Sequence, residues 1–165
     1  MKIWMALGLV MAAAGGTMAQ AQTYDAERTL TYFTPAALKA TLHELGATTA
    51  DRDGVPNITV EFSNGLKADA VTLACSDIET STDCLGTSIL ATFEQPEGAN
   101  AEAIFQAINE YNYRQNFGRA YLGPDGAITL RMYIIADGGI TMGNYRQQIG
   151  LFEKSAERFL QYLYN

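Results

Sequence analysis

The sequence predicts an α+β domain: a five-stranded antiparallel sheet with helices packed on one face, in the order α-β-β-β-α-β-β-α. Three observations carry this expectation. Apolar residues recur at 3-4 spacing in three stretches, each behind a capping residue. Elsewhere they alternate one by one, as on half-buried strands. The alternating stretches are joined by short turns, so the strands pair as hairpins and the helices are left to cover a single face.

Thr34 followed by Pro35 reads as an N-cap with proline in the first helical position, and Gly46 reads as the stop. Between them Ala37, Leu38, Thr41, Leu42 and Leu45 share a face, with Lys39, His43 and Glu44 turned away from it. Asp51 to Pro56 is turn-rich. Ile58, Val60 and Phe62 then alternate with polar residues, and Asn64-Gly65 is a strong hairpin signal that returns the chain through Leu66 to Cys75. On the returning strand the apolar phase shifts between Ala68/Ala70 and Val71/Leu73/Cys75, which predicts a β-bulge near Ala70. A polar loop, Ser76 to Asp83, leads to a third strand with Leu85, Ile89, Ala91 and Phe93 in alternation.

Pro96 to Ala99 breaks the chain, and Asn100 caps a second helix along which Ile104, Ile108 and Tyr111 line up. A fourth strand, Arg119 to Leu122, turns through Gly123-Pro124-Asp125-Gly126 into a fifth, where Ile128, Leu130, Met132 and Ile134 alternate with Thr129, Arg131 and Tyr133. Asp137-Gly138-Gly139 ends that hairpin. Thr141 caps a long amphipathic helix marked by Tyr145, Ile149, Phe152, Ala156, Phe159 and Leu163.

Ahead of this domain, residues 1–21 have the form of an export signal. Lys2 is the charged region, Ile3 to Ala14 is apolar, and Ala19-Gln20-Ala21 is a small-x-small cleavage site, with Thr17-Met18-Ala19 a second candidate two residues earlier. No Cys follows either cut to carry a lipid, and the apolar run is too short for a permanent membrane anchor. The expectation is a periplasmic or secreted protein with no membrane span after cleavage. Its organisation would be a signal peptide (1–21), an N-terminal segment (22–33) and one domain (34–165). Removing the leader leaves 144 of the 165 residues, enough for a single core. Eighteen acidic residues against eleven basic give −7, or −8 once Lys2 is gone. Without a clustered basic stripe, that balance argues against nucleic acid and anionic membrane surfaces as partners.

The composition offers little to catalysis. His43 is the sole histidine, lies on the polar side of its helix, and has no Gly-x-Ser-x-Gly elbow to serve. Cys75 and Cys84 are the only cysteines. In an oxidising compartment an isolated pair is most simply a disulfide, closing a loop of about ten residues and stabilising the fold by roughly 2.5 to 3 kcal/mol. A transition-metal site would then lack its usual ligands. The acidic stretch Asp77-Ile78-Glu79 to Asp83 lacks the register of a calcium loop, and Gly138-Gly139 lacks the lysine and further glycines of a phosphate loop. Neither a metal nor another cofactor is expected, and the chain reads as non-enzymatic.

One stretch stands out. From Ile108 to Tyr121 three asparagines and three tyrosines crowd the end of the second helix and the start of the fourth strand. The asparagines can satisfy backbone groups at the helix end while the aromatics cover the sheet edge. Alternatively, Asn109, Tyr111, Asn112, Tyr113, Arg119 and Tyr121 form a binding surface, since Tyr, Asn and Arg together suit one.

At this stretch the chain resembles the YbjN-domain family of small bacterial proteins, described as sensory-transduction regulators. The likeness rests on the pair Cys75/Cys84 flanking a loop, the segment Ile108-Asn109-x-x-Asn112, the run Phe117-Gly118-Arg119-Ala120-Tyr121, and the turn Gly138-Gly139-Ile140-Thr141 before the last helix. It extends from Thr34 to Leu163. The family is similar in fold to type III secretion chaperones, and the resemblance implies a protein-binding, adaptor-like or regulatory role without catalysis. Those chaperones work in the cytoplasm, whereas this chain carries an export signal, so their function does not transfer with the fold. The expected partner is another protein of the bacterial envelope, with a second copy of the chain a further candidate. The competing expectation is a small-ligand binding domain that uses residues 109–121.

Overall fold

The computed structural model describes residues 22–164; the predicted leader lies outside them. The chain runs β1 (Thr29–Leu30), α1 (Pro35–Glu44), β2 (Thr48–Asp51), β3 (Ile58–Glu61), β4 (Lys67–Leu73), β5 (Gly86–Phe93), α2 (Ala101–Arg114), β6 (Arg119–Leu122), β7 (Ile128–Ile135), β8 (Ile140–Thr141) and α3 (Met142–Leu163). An antiparallel sheet in the order β2-β3-β4-β5-β7-β6 forms one layer, and the three helices form the other. β1 and β8 make a separate two-stranded pair.

The sheet therefore has six strands rather than the expected five. The added one is β2, an edge strand of sequence Thr-Thr-Ala-Asp on which only Thr49 is even half-buried. With nothing apolar to bury it has no alternation to read. Its ties to α1 are polar instead, from His43 to Thr49 at 2.9 Å and from Lys39 to Asp51 at 2.6 Å.

The caps form where the sequence places them. Thr34, Asn100 and Thr141 each accept a hydrogen bond from a backbone N–H three residues on, satisfying a donor that the first helical turn leaves free. Gly46, at φ 79°, ends α1 in the left-handed region that glycine enters without a Cβ penalty.

The core lies between the sheet and α3. From α3, Tyr145, Ile149, Phe152, Ala156 and Phe159 are fully buried. Phe33 stacks on Tyr145 at 4.4 Å between ring centroids, and Phe159 meets Phe93 and Tyr111 edge-on at 5.3 and 5.1 Å. The Tyr145 hydroxyl shares a 2.8 Å hydrogen bond with Thr87, which satisfies the one polar atom this ring carries inside. Burial pushes its phenol well above the usual tyrosine range.

No bulge interrupts β4. Its pairing with β3 and with β5 runs through Ala70 without an extra residue. Ala68, Ala70 and Thr72 face the helices, and Val71 and Leu73 point to the other side. The apolar phase shift is thus a change in what the second face of the sheet carries.

Candidate binding surface

That second face has no helix over it among the described residues. Side chains on it stand in rows set by the strand register. Asp69, Leu90, Arg131 and Arg119 lie side by side across β4, β5, β7 and β6; Val71, Ser88 and Tyr133 form the next row; Leu73, Gly86 and Ile135 form the last. Ile135 is 66% exposed and Tyr133 56%, large apolar groups left in solvent on a rigid scaffold. Beside these rows a shallow cleft of about 550 Å³ runs between Arg52, Lys67, Asp69, Leu90 and Thr92.

Arg131 sits at the centre. Its guanidinium lies 5.4 Å from the centroid of Tyr121 and 5.6 Å from that of Tyr133, and it donates a 2.8 Å hydrogen bond to the Tyr133 hydroxyl. Its Nε is buried with no acceptor. Arg119 stands directly across from it in the register. Asp69 in the same row is occupied by Arg52 at 3.0 Å.

The residues 109–121 do not gather into one surface. Tyr111 is fully buried and donates to the Phe117 carbonyl at 2.7 Å, with burial raising its phenol. Asn112 uses both ends of its carboxamide on Ala120, donating to the carbonyl at 2.9 Å and accepting from the N–H at 3.0 Å. It supplies the edge strand β6 with one rung of a ladder where no further strand exists. Asn109 and Tyr113 lie exposed on α2, Tyr113 at 88%. Arg119 and Tyr121 instead belong to the open face of the sheet, across the layer from α2. Arg131, Tyr133, Ile135, Leu73, Val71 and Leu90 carry no binding motif in the sequence. Their one signal was the phase shift at Val71/Leu73, together with the doubled Ile134-Ile135 at the end of β7.

Cys75 and Cys84 are disulfide-bonded across the base of the β4–β5 loop. Within the loop Asp77 accepts from the N–H groups of Glu79 and Thr80 at 2.9 and 3.3 Å. Hydrogen bonds from Thr80, then from Glu79, hold its carboxyl below the usual range. Pro35, Val55, Pro56, Ile78 and Thr80 line a cleft of about 630 Å³ next to this loop. Among the described residues no cluster of three His, Cys, Asp or Glu could hold a metal, and no helix is long and apolar enough to cross a membrane.

Comparison with known proteins agrees with this architecture. A solved structure titled "Crystal structure of YbjN, a putative transcription regulator from E. coli" superposes with a TM-score of 0.57, covering 74% of this chain and 84% of that one at 13% sequence identity. At that identity the likeness speaks for the fold alone. No curated protein matches. The family model YbjN, "Putative bacterial sensory transduction regulator", matches residues 34–165, the whole domain from the cap of α1 onward, and the chain belongs to the YbjN family.

Proposed function

We propose that this chain is an exported, non-enzymatic YbjN domain that acts by binding another protein of the bacterial envelope, as an adaptor or regulatory factor, through the open face of its sheet. The observation that carries this reading is the uncovered face itself. A sheet stabilised from one side has no folding need for Val71, Leu73, Leu90, Tyr133 and Ile135 on the other, and exposed apolar and aromatic groups of this kind mark interaction sites. The export reading rests on the leader, and the bonded pair Cys75/Cys84 accords with an oxidising compartment. The family description, a regulator of sensory transduction, accords with action through a partner. The E. coli protein's title names transcription, but this chain has a net charge of −7 and no basic stripe with which to hold nucleic acid.

Photo-crosslinking in the producing cell tests the reading. A benzophenone side chain at Thr92, on the open face, is expected to link one defined protein, and the link should be lost on Ile135→Arg. The same group at Lys154, on α3, should not capture that protein. Equal capture from both positions, or a bound small molecule with no protein partner, would overturn it. N-terminal sequencing of the same material checks the export reading, with Gln22 or Gln20 as the expected first residue and Met1 as the contrary result.

A further inference from the structure

Elsewhere on the open face, charges stand against charges of the opposite sign. Arg52 pairs with Asp69, and Glu61 and Lys67 stand opposite each other across β3 and β4. Arg119 and Arg131 are the one registered pair in the sheet that joins like charges. Such pairs, directly opposed, destabilise a sheet. Neither guanidinium has a carboxylate partner among the described residues, in a chain with a surplus of acids. Folding alone gives no reason to place them so.

We infer that Arg119 and Arg131, the latter flanked by Tyr121 and Tyr133, are the receptor for a carboxylate carried by the partner protein, an Asp or Glu set among apolar side chains. The inference rests on the open face being a protein-binding surface and names what that surface selects. Arg131 spends Nη1 on Tyr133, and its Nε still lacks an acceptor. A buried donor without an acceptor is a costly vacancy, and the Nε–Nη2 edge of arginine is a fork that two carboxylate oxygens fit. The two rings flank the guanidinium and limit its contact with water, strengthening a charge-assisted bond. Tyr133 is more than half exposed, so its ring can give way to the entering ligand at the cost of its hydrogen bond from Arg131. Leu90 stands beside Arg131 in the register, while Ile135 and Leu73 lie farther along the face, so the ligand needs apolar neighbours as well as charge. An inorganic anion would leave those groups in water.

The test is selection of heptapeptides from a displayed random library on the protein as purified from the producing cell, followed by affinity measurement with the synthetic peptides. Enriched sequences should share an Asp or Glu with apolar residues on both sides. Replacing that acid by its amide, or Arg119→Gln in the protein, should weaken binding about tenfold. Because Arg119 has no partner to lose, Arg119→Gln should leave the melting temperature unchanged or raised, which separates recognition from a structural role. Arg131→Lys retains the charge without the fork and should weaken binding to a similar degree. Enriched peptides without an acid, indifferent to Arg119→Gln but lost on Ile135→Arg, would overturn the carboxylate receptor and leave the protein-binding face standing. Peptides indifferent to Ile135→Arg would overturn both. Binding to phosphatidylglycerol vesicles that Arg119→Gln abolishes, with no peptide selected, would assign the pair to a membrane surface instead and overturn the inference.

Discussion

One strand shows how differently the two faces of this sheet are used. β7 sends Ile128, Leu130, Met132 and Ile134 into the helical layer, where each is buried, and turns Arg131, Tyr133 and Ile135 outward to a face with no cover. The inward set meets the rings of α3 and is consumed by folding. The outward set is as rich in large side chains, yet what holds it is the strand register, the Arg131–Tyr133 hydrogen bond and the rings beside Arg131. Burial against a second layer is what converts apolar area into stability, so the two halves of one strand should answer mutation very differently.

The largest effect should come from the covered side. Phe159→Ala removes a buried ring in contact with Phe93 and Tyr111, and is expected to cost about 3 to 5 kcal/mol by urea unfolding. Replacing Cys75 and Cys84 together by Ser should cost roughly 2.5 to 3 kcal/mol, since the loop is then free to open in the unfolded chain. Asn112→Ala leaves the Ala120 amide and carbonyl without their partners. A loss of about 1 to 2 kcal/mol is expected, accompanied by concentration-dependent association through the bared edge of β6 that light scattering would detect.

A smaller effect is tied to pH. Asp77 is held below the ordinary carboxylate range, so its contribution is complete above that range and is lost as pH falls through its lower native value. The Thr80 amide resonance should shift only as the pH falls below the ordinary carboxylate range, and the shift should disappear in Asp77→Asn. Smallest for stability is Ile135→Ser on the open face, expected within about 0.5 kcal/mol of the parent. An Ile135→Ser cost approaching that of Phe159→Ala would end the contrast between the faces. A negligible cost joined to loss of partner capture would sharpen it.

How much of this was legible in the sequence differs between the two faces for the same reason. The helices could be read because Thr34-Pro35, Asn100 and Thr141 announce local backbone needs, and because α3 repeats its buried residues with the period of a helix. The inward residues of β3, β5 and β7 could be read because a core takes apolar groups at nearly every second position, Thr87 being the exception that Tyr145 satisfies. β2 could not, as an edge strand held by Lys39 and His43 has no apolar rhythm. The open face was visible only as an apparent fault. Val71 and Leu73 broke the alternation of β4, and a bulge accounts for such a break as well as a two-sided strand does until register is known. Residues 109–121 drew notice by composition, but Tyr111 and Asn112 serve the backbone while Arg119 and Tyr121 serve the opposite side. Composition does not say which side of a layer a residue ends on.

The bond between Cys75 and Cys84 also governs what a protease can do to this protein. A cut anywhere from Ser76 to Asp83 would divide the chain into a piece ending with β4 and a piece beginning with β5, yet the two would remain one covalent molecule. Phe33 on the first piece still stacks on Tyr145 of the second, and Phe62 still packs near Phe152. The nicked form should migrate as a single species until a reductant is added and as two fragments afterwards. The disulfide thus makes the exposed tip of the molecule expendable, because damage there leaves the register of β4 against β5 in place.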